Sequence, residues 1–436
     1  MWVISYTGYM TRSPRRRDIL SGLCVGGLGA LAGCLDDVSE FASRTSDGDV
    51  GDTDRTIKLG ILQPLSGDLG AVGEPIRDAA ILPAEQVRGD VSMDIEYAVA
   101  DTGAEPAVGV QEAVNLVDAG YPMVNGPAAS GVTLQVTQQV LIPYRAVTCS
   151  PASTSPTITA LNDGGLVFRT ALSDSLQAVI LAERAATDLG HTSAATLYVN
   201  NDYGWQLSQA FTQAFETDHD GTVTAQVPFD PLEGEDDDRT FEAEFEQARA
   251  DDPGLLIVIG YPQTGAQLFT DFFETGGEED VLVTDGLRDG TLQDHVEYSL
   301  EGIRGTAPLT AGPGAETFNE LFVDEYENEP GIFTAHAYDA SAVLLLANAF
   351  AGQNDGTAIR SAMNAVTTEP GTVVTPENLA EGIELAAGGD PVEYQGASSS
   401  VVFDENGDTV DATFEYWAFD DSADGGIDTL EEVSVQ

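Results

Sequence analysis

Lysine is almost missing from this chain of 436 residues: Lys58 is the single one among 17 basic residues, which face 73 acidic ones. An acidic protein ordinarily still uses lysine freely. A formal net charge of −56 almost without lysine stems therefore points to a medium of molar salt. There the Debye length falls to about 3 Å, like-charge repulsion is screened, and hydrated carboxylates keep the surface soluble. The same field repels phosphate, so nucleic acid is excluded as a partner. Intrinsic disorder is excluded by what is abundant: 42% of the residues are hydrophobic, gathered into runs such as Leu255-Leu256-Ile257-Val258-Ile259.

Catalytic signatures are also missing. The four histidines, His191, His219, His295 and His336, have no metal-like spacing, and neither a Gly-x-Ser-x-Gly elbow nor a Walker-type phosphate loop occurs. Gly67, Gly70 and Gly73 sit between a strand pattern and a helix pattern, the context of a dinucleotide fingerprint. They lack its close glycine pair, however, and Asp68 would face the pyrophosphate. An enzyme is not expected, and no cofactor or metal is implied.

Cysteine is scarce, with three in the chain. The first two belong to the N-terminus, where Arg15-Arg16-Arg17-Asp18-Ile19-Leu20 carries a twin-arginine export pattern. The apolar run Gly22–Ala32 that follows is too short to cross a bilayer and ends Leu31-Ala32-Gly33-Cys34, similar to a lipobox. Residues 1–33 are thus expected to be a signal peptide. Cys34 is expected to be lipidated on the outer face of the cell membrane, with residues 34–55 as a flexible acidic tether. Cys24 leaves with the signal, so Cys149 is left without a disulfide partner. It lies in an apolar run that suits a buried, inert thiol.

Beyond the tether, short apolar runs alternate with helical stretches of about a dozen residues. Strands are predicted at Thr56–Leu62, Asp94–Val99, Pro122–Asn125 and Tyr144–Thr148, with helices at Pro75–Val87, Pro106–Asp118 and Val132–Val140. After Arg169 the alternation restarts, with strands at Ala194–Val199, Thr222–Val227, Leu255–Ile259 and Val281–Thr284 between helices. This pattern predicts parallel, doubly wound α/β units. A helix over Thr334–Phe350, apolar on most faces, is expected to be buried. Val401–Val410 reads as a hairpin about Asn406-Gly407.

Two segments offer hydroxyls and backbone N–H groups where a parallel sheet presents its crevice. They are Ala129-Ser130-Gly131-Val132-Thr133, before a helix, and Ser150-Pro151-Ala152-Ser153-Thr154-Ser155-Pro156, after a strand. Such groups can hold a carboxylate, or can simply cap helices.

From about Ile57 to Asp285 the chain closely resembles the leucine/isoleucine/valine-binding family of ABC importers, which has a periplasmic binding protein type 1 fold. The matching segments include Gly60-Ile61-Leu62-Gln63-Pro64-Leu65-Ser66-Gly67 and Gly126-Pro127-Ala128-Ala129-Ser130-Gly131-Val132-Thr133. Further along are Val167-Phe168-Arg169-Thr170, Asn200-Asn201-Asp202-Tyr203-Gly204 and Gly260-Tyr261-Pro262. The resemblance implies two Rossmann-like lobes joined by three hinge crossovers, one lobe from 56–173 and 306–402, the other from 174–305 and 403–436. It implies that Ser130, Ala152, Ser153 and Thr154 hold a ligand's α-carboxylate and that Asp285 meets its α-ammonium. Asp174 would face the cleft, and Tyr203 and Tyr261 would close over the ligand. The implied partners are a small amino-acid-like ligand and an ABC permease, or alternatively a chemotaxis transducer. The combined expectation is a lipoprotein of a salt-loving archaeon. Two departures bear on the ligand: Val72 stands where some members have a cleft tyrosine, and Asp285 replaces a glutamate.

Overall fold

The computed structural model describes residues 55–436 apart from Glu233, Glu235, Asp236, Glu369, Asp411 and Gln436. The described residues belong to a single unit, Val50–Gln436. The export signal, Cys34 and nearly all of the tether expected at 34–55 lie outside the described residues.

Five parallel strands form the first sheet: β1 (Thr56–Gln63), β2 (Asp94–Asp101), β3 (Met123–Asn125), β4 (Val147–Ser150) and β5 (Val167–Arg169). Their spatial order is β2-β1-β3-β4-β5. A second sheet repeats this order with β6 (Ser193–Val199), β7 (Thr222–Phe229), β8 (Leu255–Ile259), β9 (Asp280–Val283) and β10 (Arg304–Pro308), arranged β7-β6-β8-β9-β10. β11 (Thr372–Val374) and β12 (Val392–Tyr394) make a small parallel pair apart from both sheets. β13 (Ala412–Phe419) and β14 (Ile427–Val435) then add two antiparallel strands beyond β10. The two sheets are the cores of two lobes, and the doubly wound class expected from the alternation is the one observed.

Parallel strands are covered on both faces, so their sequences read as unbroken apolar runs. β8 is the limiting case, with all five residues buried. The helix Thr334–Ala351 belongs to the first lobe. It packs against the helices Gly70–Gln86 and Gly356–Thr367, with every residue from Thr334 to Ala349 buried. That leaves no polar face to alternate with, as its sequence predicts. It stops at Gly352, whose φ of 66° is the left-handed conformation that commonly ends a helix.

The chain crosses between lobes after β5, after β10 and before β13. The second crossing, expected between 305 and 306, falls after Pro308 because β10 completes its pairing with β13 up to Pro308–Phe414. The third, expected between 402 and 403, falls beyond Thr409. Asp408 pairs with Arg169 at the end of β5, and the Thr409 hydroxyl donates to the Arg169 carbonyl, holding this segment on the first lobe.

Other differences have local causes. The helix expected from Pro75 starts at Gly70, and it keeps both Pro75 and Pro83 inside it. Packing against β1 and the helix Thr334–Ala351 outweighs the local propensity that proline opposes. The strand expected at Tyr144–Thr148 begins at Val147, since Arg145 adopts φ 55° and ends the preceding helical stretch. The hairpin expected at Val401–Val410 reduces to one bridge, Phe403–Thr409, closed by a turn in which Gly407 has φ 80°. The long C-terminal hairpin is β13–β14.

Candidate functional site

Strand order reverses beside β1 in the first sheet and beside β6 in the second, and open α/β sheets present a crevice outside the carboxyl ends of such strands. Loops after β1, β3 and β4 from one lobe and after β6, β8 and β9 from the other meet there. They surround a small cavity of about 40 Å³. Ser130, Ala152, Tyr203, Tyr261 and Asp285 line it, together with Pro64, Leu69, Val72, Gly73, Ile76, Ala128, Ala129, Gly286, Ile332 and Phe333.

Glycine at 73 is required by closeness: a Cβ there would fall 1.7 Å from the Pro64 carbonyl oxygen. The Gly67-x-x-Gly70-x-x-Gly73 spacing thus serves a turn and a close helix–strand approach.

On the first lobe the serine–threonine loops are tied to one another. Ser130 opens the helix Ser130–Val136, where first-turn N–H groups lack intrahelical acceptors, and its Oγ accepts from the Ser155 amide at 3.3 Å. Ser153 does not line the cavity. Its hydroxyl lies among the Pro127 carbonyl, the Ala128 carbonyl and Thr133 Oγ1, at 3.0, 2.9 and 2.8 Å, behind the loop. The Thr154 hydroxyl is buried without a hydrogen-bond partner.

Arg169 holds this arrangement from beneath. It is fully buried, and its guanidinium donates to Asp408 Oδ1 and Oδ2 at 2.6 and 2.9 Å. It also donates to the carbonyls of Ser153 and Ser155 at 3.1 and 3.0 Å, and to Thr159 Oγ1 at 2.7 Å. All five guanidinium donors are thereby used.

The second lobe supplies acid. Asp174, the first residue of the helix Asp174–Glu183, is fully buried, and neither carboxylate oxygen has a hydrogen-bond partner. Burial raises its pKa well above the usual carboxylate range and the charge of Asp285 pushes it further, while the nearby Thr154 hydroxyl and the Arg169 charge pull the other way. Asp285 follows β9, is 3% exposed, and is pushed up to about 6 by burial, against the opposing effect of Gln177 and Tyr203. The Tyr203 hydroxyl donates to Asp285 Oδ1 at 3.1 Å and shares a 2.8 Å bond with Thr284. Tyr203 stacks on Tyr261 with ring centroids 5.6 Å apart, and Asn201 Nδ2 donates to the Tyr261 hydroxyl at 3.1 Å.

Of the residues singled out by sequence, five therefore share the cavity wall. Thr154 and Asp174 lie buried beside it, and Ser153 braces it from behind. Of the apolar wall, the sequence points to Val72 alone, through the family resemblance. Leu69, Val72 and Ile76 lie along the helix Gly70–Gln86 and its approach, at a spacing that reads equally well as ordinary core. Ile332 and Phe333 come from a distant segment. A signal does exist at Phe333: its φ of 61° is a strained backbone for a bulky residue, of the kind found at functional sites. It is visible only in the structure. Among the described residues no three potential metal ligands cluster, and no helix is long and apolar enough to cross a membrane.

Residues 56–380 match the periplasmic binding protein family. A chemotactic signal transduction system substrate-binding protein of Halobacterium salinarum is 27% identical over 358 residues, covering 79% of this chain and 83% of that protein. A leucine-, isoleucine-, valine-, threonine- and alanine-binding protein of Pseudomonas aeruginosa is 23% identical, covering 77% and 87%. Among solved structures, a leucine-binding protein of Thermotoga maritima superposes with a TM-score of 0.72 at 23% identity, covering 86% of this chain and 98% of that one. That likeness is one of fold.

Proposed function

Because the chain belongs to the periplasmic binding protein family, we propose that its cleft captures a small amino acid, branched-chain or related, for an ABC importer. One observation carries the reading. Asp174 and Asp285 are buried together in a cleft whose wall holds no cation, and Asp174 has no hydrogen-bond partner. A ligand ammonium between them would supply the missing counter-charge. Charge-assisted hydrogen bonds to buried carboxylates are among the strong ones. Ser130 and the backbone of Ala152–Thr154 would take the ligand's carboxylate, and Leu69, Val72, Ile76 and Phe333 its apolar part.

Capture follows from where these groups sit. The carboxylate donors belong to the first lobe, and the tyrosines and acids to the second. A ligand held by the first lobe gains its remaining contacts only on closure, and that difference in affinity shifts the hinge equilibrium. The protein is not an enzyme in this reading. It works on the outer face of the cell membrane, held there by lipid on Cys34 after export by the twin-arginine route.

The test is a thermal-shift screen in molar salt against amino acids, amides and short carboxylates. Stabilisation by aliphatic amino acids, and none by their deaminated acids, is expected. A response to the acids without the amine would remove the role given to Asp174 and Asp285. The Halobacterium salinarum relative favours a second reading, in which the same closed form feeds a chemotaxis transducer. Uptake of labelled ligand in cells lacking the protein separates the two, since only the importer reading requires uptake to fall.

A further inference from the structure

The lobes are bridged by two carboxylates that do not belong to the ligand-holding set. Asp68, in the loop between β1 and the helix Gly70–Gln86, reaches from the first lobe to the second. Its Oδ1 accepts from both the amide and the hydroxyl of Thr264, each at 2.9 Å. Thr264 is the third residue of the helix Pro262–Glu274, and the Thr264 hydroxyl in turn accepts from the Leu232 amide at 3.0 Å. That helix has no cap of its own: Tyr261 makes no side-chain cap bond, and its first turn holds no acid. Helix N-termini leave N–H donors that want an acceptor and favour negative charge. Asp68 provides both, from the opposite lobe.

The second bridge runs the other way. The helix Asp202–Asp218 is capped by its own Asn201, which accepts from the Gly204 amide at 3.0 Å. This leaves the Asp202 carboxylate available to reach outward, and Ser155 Oγ donates to its Oδ2 at 2.6 Å. Each bridge is close in sequence to a cavity tyrosine. Asp202 precedes Tyr203, and Thr264 shares a helix start with Tyr261, whose carbonyl accepts from the Gly265 amide at 2.8 Å. On the first lobe, Asp68 precedes Leu69 and Ser155 follows Thr154, so both bridges are anchored beside the pocket on each side.

We propose that Asp68 and Asp202 form a two-point latch that holds the cleft shut, one beside each of the stacked tyrosines, with Asp68 capping the helix Pro262–Glu274 in trans. These bonds exist only when the lobes meet, and they do not touch the ligand. They therefore shift the open–closed equilibrium whatever occupies the pocket, and slow the escape of what has entered. The inference rests on reading the cleft as one that opens and closes on a ligand.

Hydrogen exchange followed by mass spectrometry on the full chain, in molar salt and without ligand, tests the latch directly. Asp68→Ala should speed exchange on the order of tenfold in the peptides carrying Ser130 and Ser153–Ser155, which Asp68 does not touch. Asp202→Ala should do the same for peptides carrying Leu69 and Tyr261. Asp68→Asn, which keeps an acceptor oxygen, should stay nearer the wild type; it, with Thr264→Val, reports if the alanine variant fails to fold. Faster exchange confined to the Thr264 amide would reduce Asp68 to a local cap and overturn the proposal. With L-leucine as probe, the dissociation rate should rise by a similar factor in both alanine variants. If L-leucine binds neither wild type nor variants, the assigned ligand class falls, and the exchange result alone decides on the latch.

Discussion

Arg169 and Asp174 lie five residues apart, both fully buried and both charged at neutral pH in an ordinary setting, yet their surroundings are opposite. Every donor of Arg169 has an acceptor, including the bidentate pair with Asp408. Asp174 has a raised pKa and no hydrogen-bond partner. A buried charge is tolerated when it is paired and hydrogen-bonded, and is costly when it is not. The satisfied charge is therefore architecture: it locks the Ser150–Pro156 segment and the returning chain at Asp408 onto β5. The other is the carboxylate to which the proposed ligand ammonium is assigned.

The comparison breaks most visibly at Arg169. Replacing it with methionine removes the countercharge of the partly buried Asp408, which keeps only the Thr159 hydroxyl, and the Arg169 donors to the carbonyls of Ser153 and Ser155, and should cost about 3–5 kcal/mol. Denaturant unfolding in molar salt measures this. A loss under about 1 kcal/mol would mean that the knot is ornamental.

Asp285→Asn comes next. It should weaken binding of an aliphatic amino acid by about 1.5–3 kcal/mol, the range for a hydrogen bond to a charged group, while leaving the fold intact. Calorimetry with the wild-type ligand reads the loss, and an unchanged affinity would move the ammonium site elsewhere.

Asp174→Asn should act with the opposite sign on stability. A carboxyl whose folded pKa lies above its unfolded value binds its proton more tightly when folded. Its ionised form therefore destabilises the closed, empty protein at high pH, and that cost fades as the pH falls. For Asp285 the window runs from about 6 down toward the ordinary 3.8. For Asp174 the direction is the same: burial and the charges of Asp285 and Asp202 raise its pKa, against the Thr154 hydroxyl and Arg169. Asp68, also pushed up to about 6 by burial, adds in the same direction. Asp174→Asn should thus raise the stability of the ligand-free protein, and by more at pH 8 than near pH 4. Melting curves across that range check it, and a variant less stable at pH 8 would show that Asp174 is already paired.

The smallest effect is expected at Thr154. Thr154→Val keeps the shape and removes a buried hydroxyl that makes no well-formed hydrogen bond and only helps to hold down the Asp174 pKa, so the ligand-free fold should change by less than about 0.5 kcal/mol. Binding should weaken by about 1 kcal/mol if that hydroxyl meets the ligand. Ser153→Ala makes the contrast, since its hydroxyl braces Pro127, Ala128 and Thr133 and its loss should appear in stability first.

Sequence made one side of the cleft more legible than the other. Ser130, Ala152 and Thr154 sit in short loops between recognisable strands and helices, so the sheet pattern alone places them at a crevice. Asp174, Tyr203, Tyr261 and Asp285 were found through family resemblance. Nothing in their local pattern distinguishes a cleft aromatic or acid from a capping or core residue. Ile332 and Phe333 escape both routes, because a third segment of chain brings them back to a wall whose other residues run from Pro64 to Gly286. In the sequence Asp68 reads only as an obstacle to a phosphate, and its partner at Thr264 is 196 residues away.

By itself the sequence determined what depends on composition and on neighbours along the chain. The carboxylate-rich surface almost without lysine, the alternation of strands and helices, and the buried character of Leu255–Ile259 and of the helix from Thr334 are all of this kind. Each follows from solvation or from a repeat that a strand or helix imposes locally. Only the tertiary structure decided which buried charges are satisfied, where the chain crosses between lobes, and which acid caps which helix. Those outcomes are settled by hydrogen bonds between groups far apart in sequence, whose energies depend on burial and geometry that no local pattern encodes.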